Sequence, residues 1–167
     1  MKNSQTPQPI GNKPEYVLLM EAAYGAPSQS GFGSAVFFEQ LELNQELEKA
    51  ALQKYKYFVG ELWDRYGEDA WIGPWKEVYA RKSGMKKDIV AELQGIKDRD
   101  ASISVPMILD VVENAEAARH ALSAAYDDET VVELRAYNLG DGGAMSGILV
   151  VGRRSNGETI FLVFLLD

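Results

Sequence analysis

An α+β fold, with helices in the N-terminal half and an antiparallel meander at the C-terminal end, is what this sequence predicts. Three observations carry that reading. Apolar residues recur every three or four positions through much of residues 34 to 96, the period of a helix face. Three β-rich runs then follow one another between Thr130 and Leu166, separated by turn-forming residues. The chain has 167 residues, 46% apolar and 25% charged, a size and balance suited to one self-sufficient core.

Met1 to Pro14 and Gly25 to Ser34 are rich in Gln, Asn, Ser, Pro and Gly. Residues 1–33 therefore read as a flexible or loosely docked tail ahead of a single domain over 34–167. The apolar patch Tyr16 to Met20 inside that tail suits either an edge strand or docking on the core. The opening MKNSQTPQPI has one lysine and no apolar stretch, unlike a signal peptide. The most apolar run, Ile160 to Leu166, is far shorter than the roughly 20 residues that span a bilayer. A cytoplasmic protein without membrane contact is expected.

From Ser34 to Tyr66, residues Phe37, Leu41, Leu47, Ala51, Tyr55, Phe58, Leu62 and Tyr66 read as one stripe of a helix. Ser34 suits its N-cap, Gly60 kinks or divides it and Gly67 closes it. Pro74 suits the first turn of a second helix through Lys82. Met85, Ile89, Leu93 and Ile96 mark a third. Ile103 to Val112 stays open between strand and helix, because Ser-Ile-Ser-Val alternates while Pro106 suits an edge strand or a helix start. Asn114 caps an alanine-rich helix to about Tyr126, with Ala118, Leu122 and Ala125 facing inward.

Thr130–Leu139, Ala144–Arg153 and Glu158–Leu166 are the expected strands. Asn156-Gly157 between the last two suits a type I′ hairpin, and Arg153-Arg154 reads as an exposed pair blunting a strand edge. The last strand has no polar face, which places it centrally in the sheet. The helices are expected on one face of a three- to four-stranded sheet. The C-terminal helix and meander broadly resemble the topology of cystatin-like and nuclear-transport-factor-like folds, which cup a helix in a curved sheet. That resemblance implies a fold and no activity.

Composition narrows the chemistry. With no cysteine there is no disulfide, thiolate nucleophile or cysteine-built zinc site. With one histidine, His120, neither HExxH nor a two-histidine iron site can be written. No cofactor, metal or catalytic residue is expected. The net charge of -8 has the wrong sign for nucleic acid. It is concentrated in residues 101–167, with four basic against ten acidic residues, while residues 31–100 carry eleven against thirteen. The contiguous Asp127-Asp128-Glu129 lacks the alternating oxygens of a calcium loop.

Two features stand out as candidate binding sites. Gly140 to Gly147 is glycine-rich, with Asp141 and Ser146 as polar contributors and Arg135 as a neighbour. No lysine or following helix completes a phosphate cradle, so a wide hairpin connection is the simpler reading. Eight aromatic residues fall between Tyr55 and Tyr79, including all three tryptophans. Tyr55, Phe58 and Tyr66 fit the helical stripe and read as core. Trp71 and Trp75 are harder to absorb, because they bracket Ile72-Gly73-Pro74, and they suggest a partner or ligand surface around Trp63, Trp71 and Trp75. A non-catalytic binding or accessory protein is expected, with a protein partner or a sheet-mediated homodimer. A small-molecule pocket or enzyme using Asp, Arg and Tyr, and an acidic inhibitor or immunity-type partner, are the alternatives.

Overall fold

The computed structural model describes residues 13–166. Within them run α1 (Glu15–Tyr24), β1 (Gly33–Gln40), α2 (Leu47–Val59), α3 (Leu62–Tyr66), α4 (Glu68–Ile72) and β2 (Lys76–Ala80). These are followed by α5 (Ile89–Gln94), α6 (Arg99–Leu109), α7 (Ala115–Tyr126), β3 (Val131–Gly140), β4 (Ser146–Arg154) and β5 (Glu158–Leu166). The fold is α+β. All five strands form one antiparallel sheet in the order β1-β5-β4-β3-β2.

β5 lies inside the sheet, between β1 and β4, as its composition predicts, though β4 and not β5 is the middle strand. β5 explains the architecture. Ile160, Leu162 and Phe164 point into one core, where Val17, Met20, Ile108, Leu122 and Tyr126 meet them. Phe161, Val163 and Leu165 point into a second, against Ala51, Tyr55, Phe58 and Trp71. The helices therefore cover both faces and not one: α1, α5, α6 and α7 on the first, α2, α3 and α4 on the second. A strand apolar on both faces needs two covers to keep its side chains from water.

Residues 34–46 are not the start of a helix. Ser34 lies in β1, which pairs with β5 from Gly33↔Leu165 to Gln40↔Glu158. Three consecutive residues, Ala35, Val36 and Phe37, are buried, as in a strand covered on both sides. The six-position step from Leu41 to Leu47 is where the helical stripe fails, and α2 begins at Leu47. Gly60 does divide the helical segment; its N–H donates to the Lys56 carbonyl and α2 ends there. Residues 76–80 form β2 where a helix was expected, because the open edge of β3 pairs with them, Lys76 opposite Asn138. Residues 103–109 are helical, in α6. Asp98 caps that helix by accepting from Ala101 N–H at 3.1 Å, and Pro106 lies inside it. Asn114 caps α7 by accepting from Ala117 N–H at 3.1 Å.

The patch Tyr16–Met20 docks on the core as part of α1. Tyr16, Val17, Met20 and Tyr24 are buried, and the Tyr24 hydroxyl donates to the Ile108 carbonyl at 2.7 Å. That part of the expected loose tail is thus an integral cover of one sheet face; residues 1–12 lie outside the described residues. The Asn156-Gly157 hairpin is real, but its turn is not type I′. Gly157 N–H donates to the Arg154 carbonyl at 2.8 Å, and of the two residues only Gly157 has positive φ, +92°, whereas type I′ needs both. The sheet edges are blunted. Val36 N–H in β1 is taken by the Gly25 carbonyl at 3.0 Å, and β2 is five residues long with a register shift between Glu77 and Tyr79.

Candidate functional site

The second sheet face is only partly roofed by helices. Alternation along β3 sends Glu133, Arg135, Tyr137 and Leu139 to the same side. Tyr137 and Leu139 lie buried beneath the helices, whereas Glu133 and Arg135 are half-exposed. At this open corner a groove of about 530 Å³ runs between the start of α2 and the sheet. Glu48 and Leu52 form one wall, Ile72 and Trp75 close an end, and Glu133 and Arg135 form the floor.

The floor is an ion-pair ladder. Arg135 donates to Glu77 Oε1 at 2.7 Å and to Glu133 Oε2 at 3.3 Å. Arg153 also donates to Glu133 through Nε at 3.1 Å and through its terminal nitrogen at 2.5 Å. Its other terminal nitrogen donates to the Glu42 and Gln45 carbonyls, both at 2.9 Å. Arg153 is therefore buried, its side chain 4% exposed, and fastens the loop before α2 to the sheet instead of guarding an edge. The hydrogen bond from Arg135 to Glu77 strengthens the hold of the guanidinium on its proton.

The tryptophans are mostly core. Trp71 is fully buried and Trp63 is 2% exposed, their rings stacked at 6.4 Å and 10°. Trp71 Nε1 donates to the Leu62 carbonyl at 3.1 Å. The short helices α3 and α4 fold back on α2, which puts Tyr55 edge-on to Trp63 at 5.4 Å. A surface presented by all three tryptophans is thus not what the fold makes. Only Trp75 reaches the groove. It stacks on Tyr137 at 4.6 Å and 6°, and on Tyr55 at 5.6 Å and 15°. Its Nε1 donates to Glu48 Oε2 at 2.9 Å, so its orientation is set from both sides.

Two tyrosines beneath the groove differ. The Tyr55 hydroxyl donates to the Gly140 carbonyl at 2.9 Å and accepts from Gly140 N–H at 3.0 Å. The Tyr137 hydroxyl is buried with no hydrogen-bond partner. Burial, with the charges of Glu48 and Glu77, holds it well above the usual phenol range and keeps it neutral.

The structure brings Trp75 and Arg135 together at one groove and separates them from Asp141 and Ser146. Asp141 Oδ1 accepts from Gly143 N–H at 2.8 Å and from Met145 N–H at 3.0 Å, so its carboxylate shapes the β3–β4 turn. Asp141 borders a separate hollow with Asp69, Pro74 and Asn138. Ser146 is exposed at the start of β4. Glu48, Glu77, Glu133 and Arg153 were not visible as site residues in the sequence. The i, i+2 spacing of Glu133 and Arg135 on one strand was the only local sign, since the others arrive from distant elements.

No protein-family model, curated protein or solved structure matches the chain. The cystatin-like topology also fails in its particulars, since both sheet faces carry helices. Among the described residues, no group of three or more His, Cys, Asp or Glu is arranged to hold a metal ion. No helix among them is long and apolar enough to cross a membrane.

Proposed function

We propose that this chain is a non-catalytic binding protein that takes a protein partner at the groove between α2 and the β3 corner. The observation that carries the reading is the uncovered sheet corner, where Trp75 and Arg135 reach the surface side by side. Aromatic residues and arginine are the side chains most enriched at protein interfaces. The apolar wall of Leu52, Ile72 and Trp75 offers area to bury, and the Glu77–Arg135–Glu133 ladder offers ion pairs that a partner can exchange. Those charged groups already neutralise one another, which suits recognition better than proton transfer. The blunted sheet edges leave little backbone for a sheet-mediated homodimer. A reducing compartment such as the cytoplasm suits a cysteine-free chain.

The test is affinity capture from the native host with the full chain, comparing Trp75→Ala and Arg135→Ala with Ser146→Ala. Circular dichroism of each variant verifies its fold. We expect a partner retained by wild type and Ser146→Ala and lost by at least about tenfold in the two groove variants. Equal capture by all four proteins would sink the proposal. Arg135→Ala keeps the test decisive if Trp75→Ala unfolds, because Arg135 is half-exposed.

A further inference from the structure

We infer that Asn156 is a site of spontaneous deamidation gated by the fold, with the amide of Gly157 as its nucleophile. Asn156 is exposed, and it is the one asparagine in the chain followed by glycine. Gly157 has no Cβ to shield its nitrogen. In the reaction the backbone nitrogen of Gly157 loses its proton and attacks Cγ of Asn156. The Cγ–N bond breaks, ammonia leaves, and a five-membered succinimide remains. Water then opens that ring at either carbonyl, giving aspartate or isoaspartate. No oxidant, metal or enzyme is required.

The turn restrains both reacting groups. Gly157 N–H is tied to the Arg154 carbonyl at 2.8 Å, which holds the nucleophile in a hydrogen bond. Asn156 Oδ1 accepts from Glu158 N–H at 3.0 Å, which fixes the carboxamide. The same turn is clamped to the end of β1, where Gln40 Nε2 donates to the Asn156 carbonyl at 2.5 Å and Leu41 N–H donates to the Gly157 carbonyl at 2.9 Å. Reaction therefore requires the hairpin tip to open, and local opening has its own free energy, separate from global unfolding. Once formed, isoaspartate carries the main chain through the former side chain and lengthens it by one carbon. The bonds to Arg154 and Leu41 then lose their geometry. The modification thus loosens β1 from the β4–β5 hairpin and adds a negative charge to an already acidic region.

The experiment follows the mass gain of amide-to-acid conversion in the tryptic fragment from Ser155 to the C-terminus. The full chain is incubated at mildly alkaline pH, either folded or in urea. We expect conversion in urea and a rate at least about tenfold lower in the folded protein. Gln40→Ala, which removes one clamp, is expected to speed conversion in the folded state severalfold, and Asn156→Gln to abolish the signal. Equal rates folded and unfolded, no conversion in urea, or a Gln40→Ala rate matching wild type would each overturn the inference.

Discussion

Tyr55 and Tyr137 bury the same phenol against the same tryptophan and differ in one respect, the partner of the hydroxyl. Removing the Tyr55 hydroxyl leaves buried Gly140 N–H and carbonyl groups without it, and an orphaned buried polar group costs about 1–3 kcal/mol. Removing the Tyr137 hydroxyl discards a group that has no partner to lose. Urea unfolding is expected to show Tyr55→Phe destabilised by that amount and Tyr137→Phe unchanged or up to about 1 kcal/mol more stable. Equal losses in the two variants would show that Tyr137 is hydrogen-bonded after all. Trp71 belongs with Tyr55. Its full burial and its bond to Leu62 make truncation to alanine a core loss of about 3–5 kcal/mol.

At the scale of elements, the short strand β2 is held by a buried charge cluster as well as by its ladder. Arg81, just beyond the strand, donates to Glu92 of α5 through Nε at 2.8 Å and a terminal nitrogen at 2.5 Å, and to Asp127 after α7 at 3.2 Å. Tyr79 adds a hydroxyl to Glu92 at 2.5 Å. Burial opposes the ionised form of Glu92, but the bonds from Arg81 and Tyr79 outweigh it and hold the carboxyl below its ordinary value of 4.5. A carboxyl with a lowered folded pKa contributes stability above its unfolded pKa and loses it as the pH falls through the folded value. Desolvation pushes Asp127 the other way, above 3.8, so Asp127 contributes the opposite slope and offsets part of the effect. The stability difference between wild type and Glu92→Gln is therefore expected to be largest at neutral pH and to shrink as the pH falls below about 4.5. Urea midpoints across that range measure it, and a difference independent of pH would refute the assignment.

The elements also show which local signals survive folding. Asn114, Gly60 and the apolar run of β5 were legible because each works through its own backbone or through plain burial. β1 and β2 were not legible, because each becomes a strand by pairing with β5 or β3, more than fifty residues away in both cases. The candidate site was half legible for the same reason. Trp75 was singled out by residue type and Arg135 only as a neighbour of the glycine-rich loop, while Trp63 and Trp71 looked like surface until α3 and α4 folded them onto Tyr55.

For the whole molecule, the shared interior strand β5 has a thermodynamic consequence. β5 contributes alternate side chains to both cores, so neither core survives loss of the other. All three tryptophans report on the second core, since Trp63 and Trp71 lie within it and Trp75 packs against it. Far-ultraviolet circular dichroism draws most heavily on helices of both faces. The two probes are expected to give coincident urea transitions, the mark of a two-state domain. Separated midpoints would mean that the faces unfold independently.

By itself the sequence determined the α+β class, the absence of cysteine chemistry, the Asn114 cap and the interior position of β5, because composition, capping and continuous apolarity act over a few residues. Only the tertiary structure decided that both faces are covered, that residues 33–40 and 76–80 are strands, and that Trp75 meets Arg135 at an open corner. Those outcomes depend on which distant segment supplies the missing hydrogen bonds and apolar contacts, and backbone propensity within one segment does not contain that information.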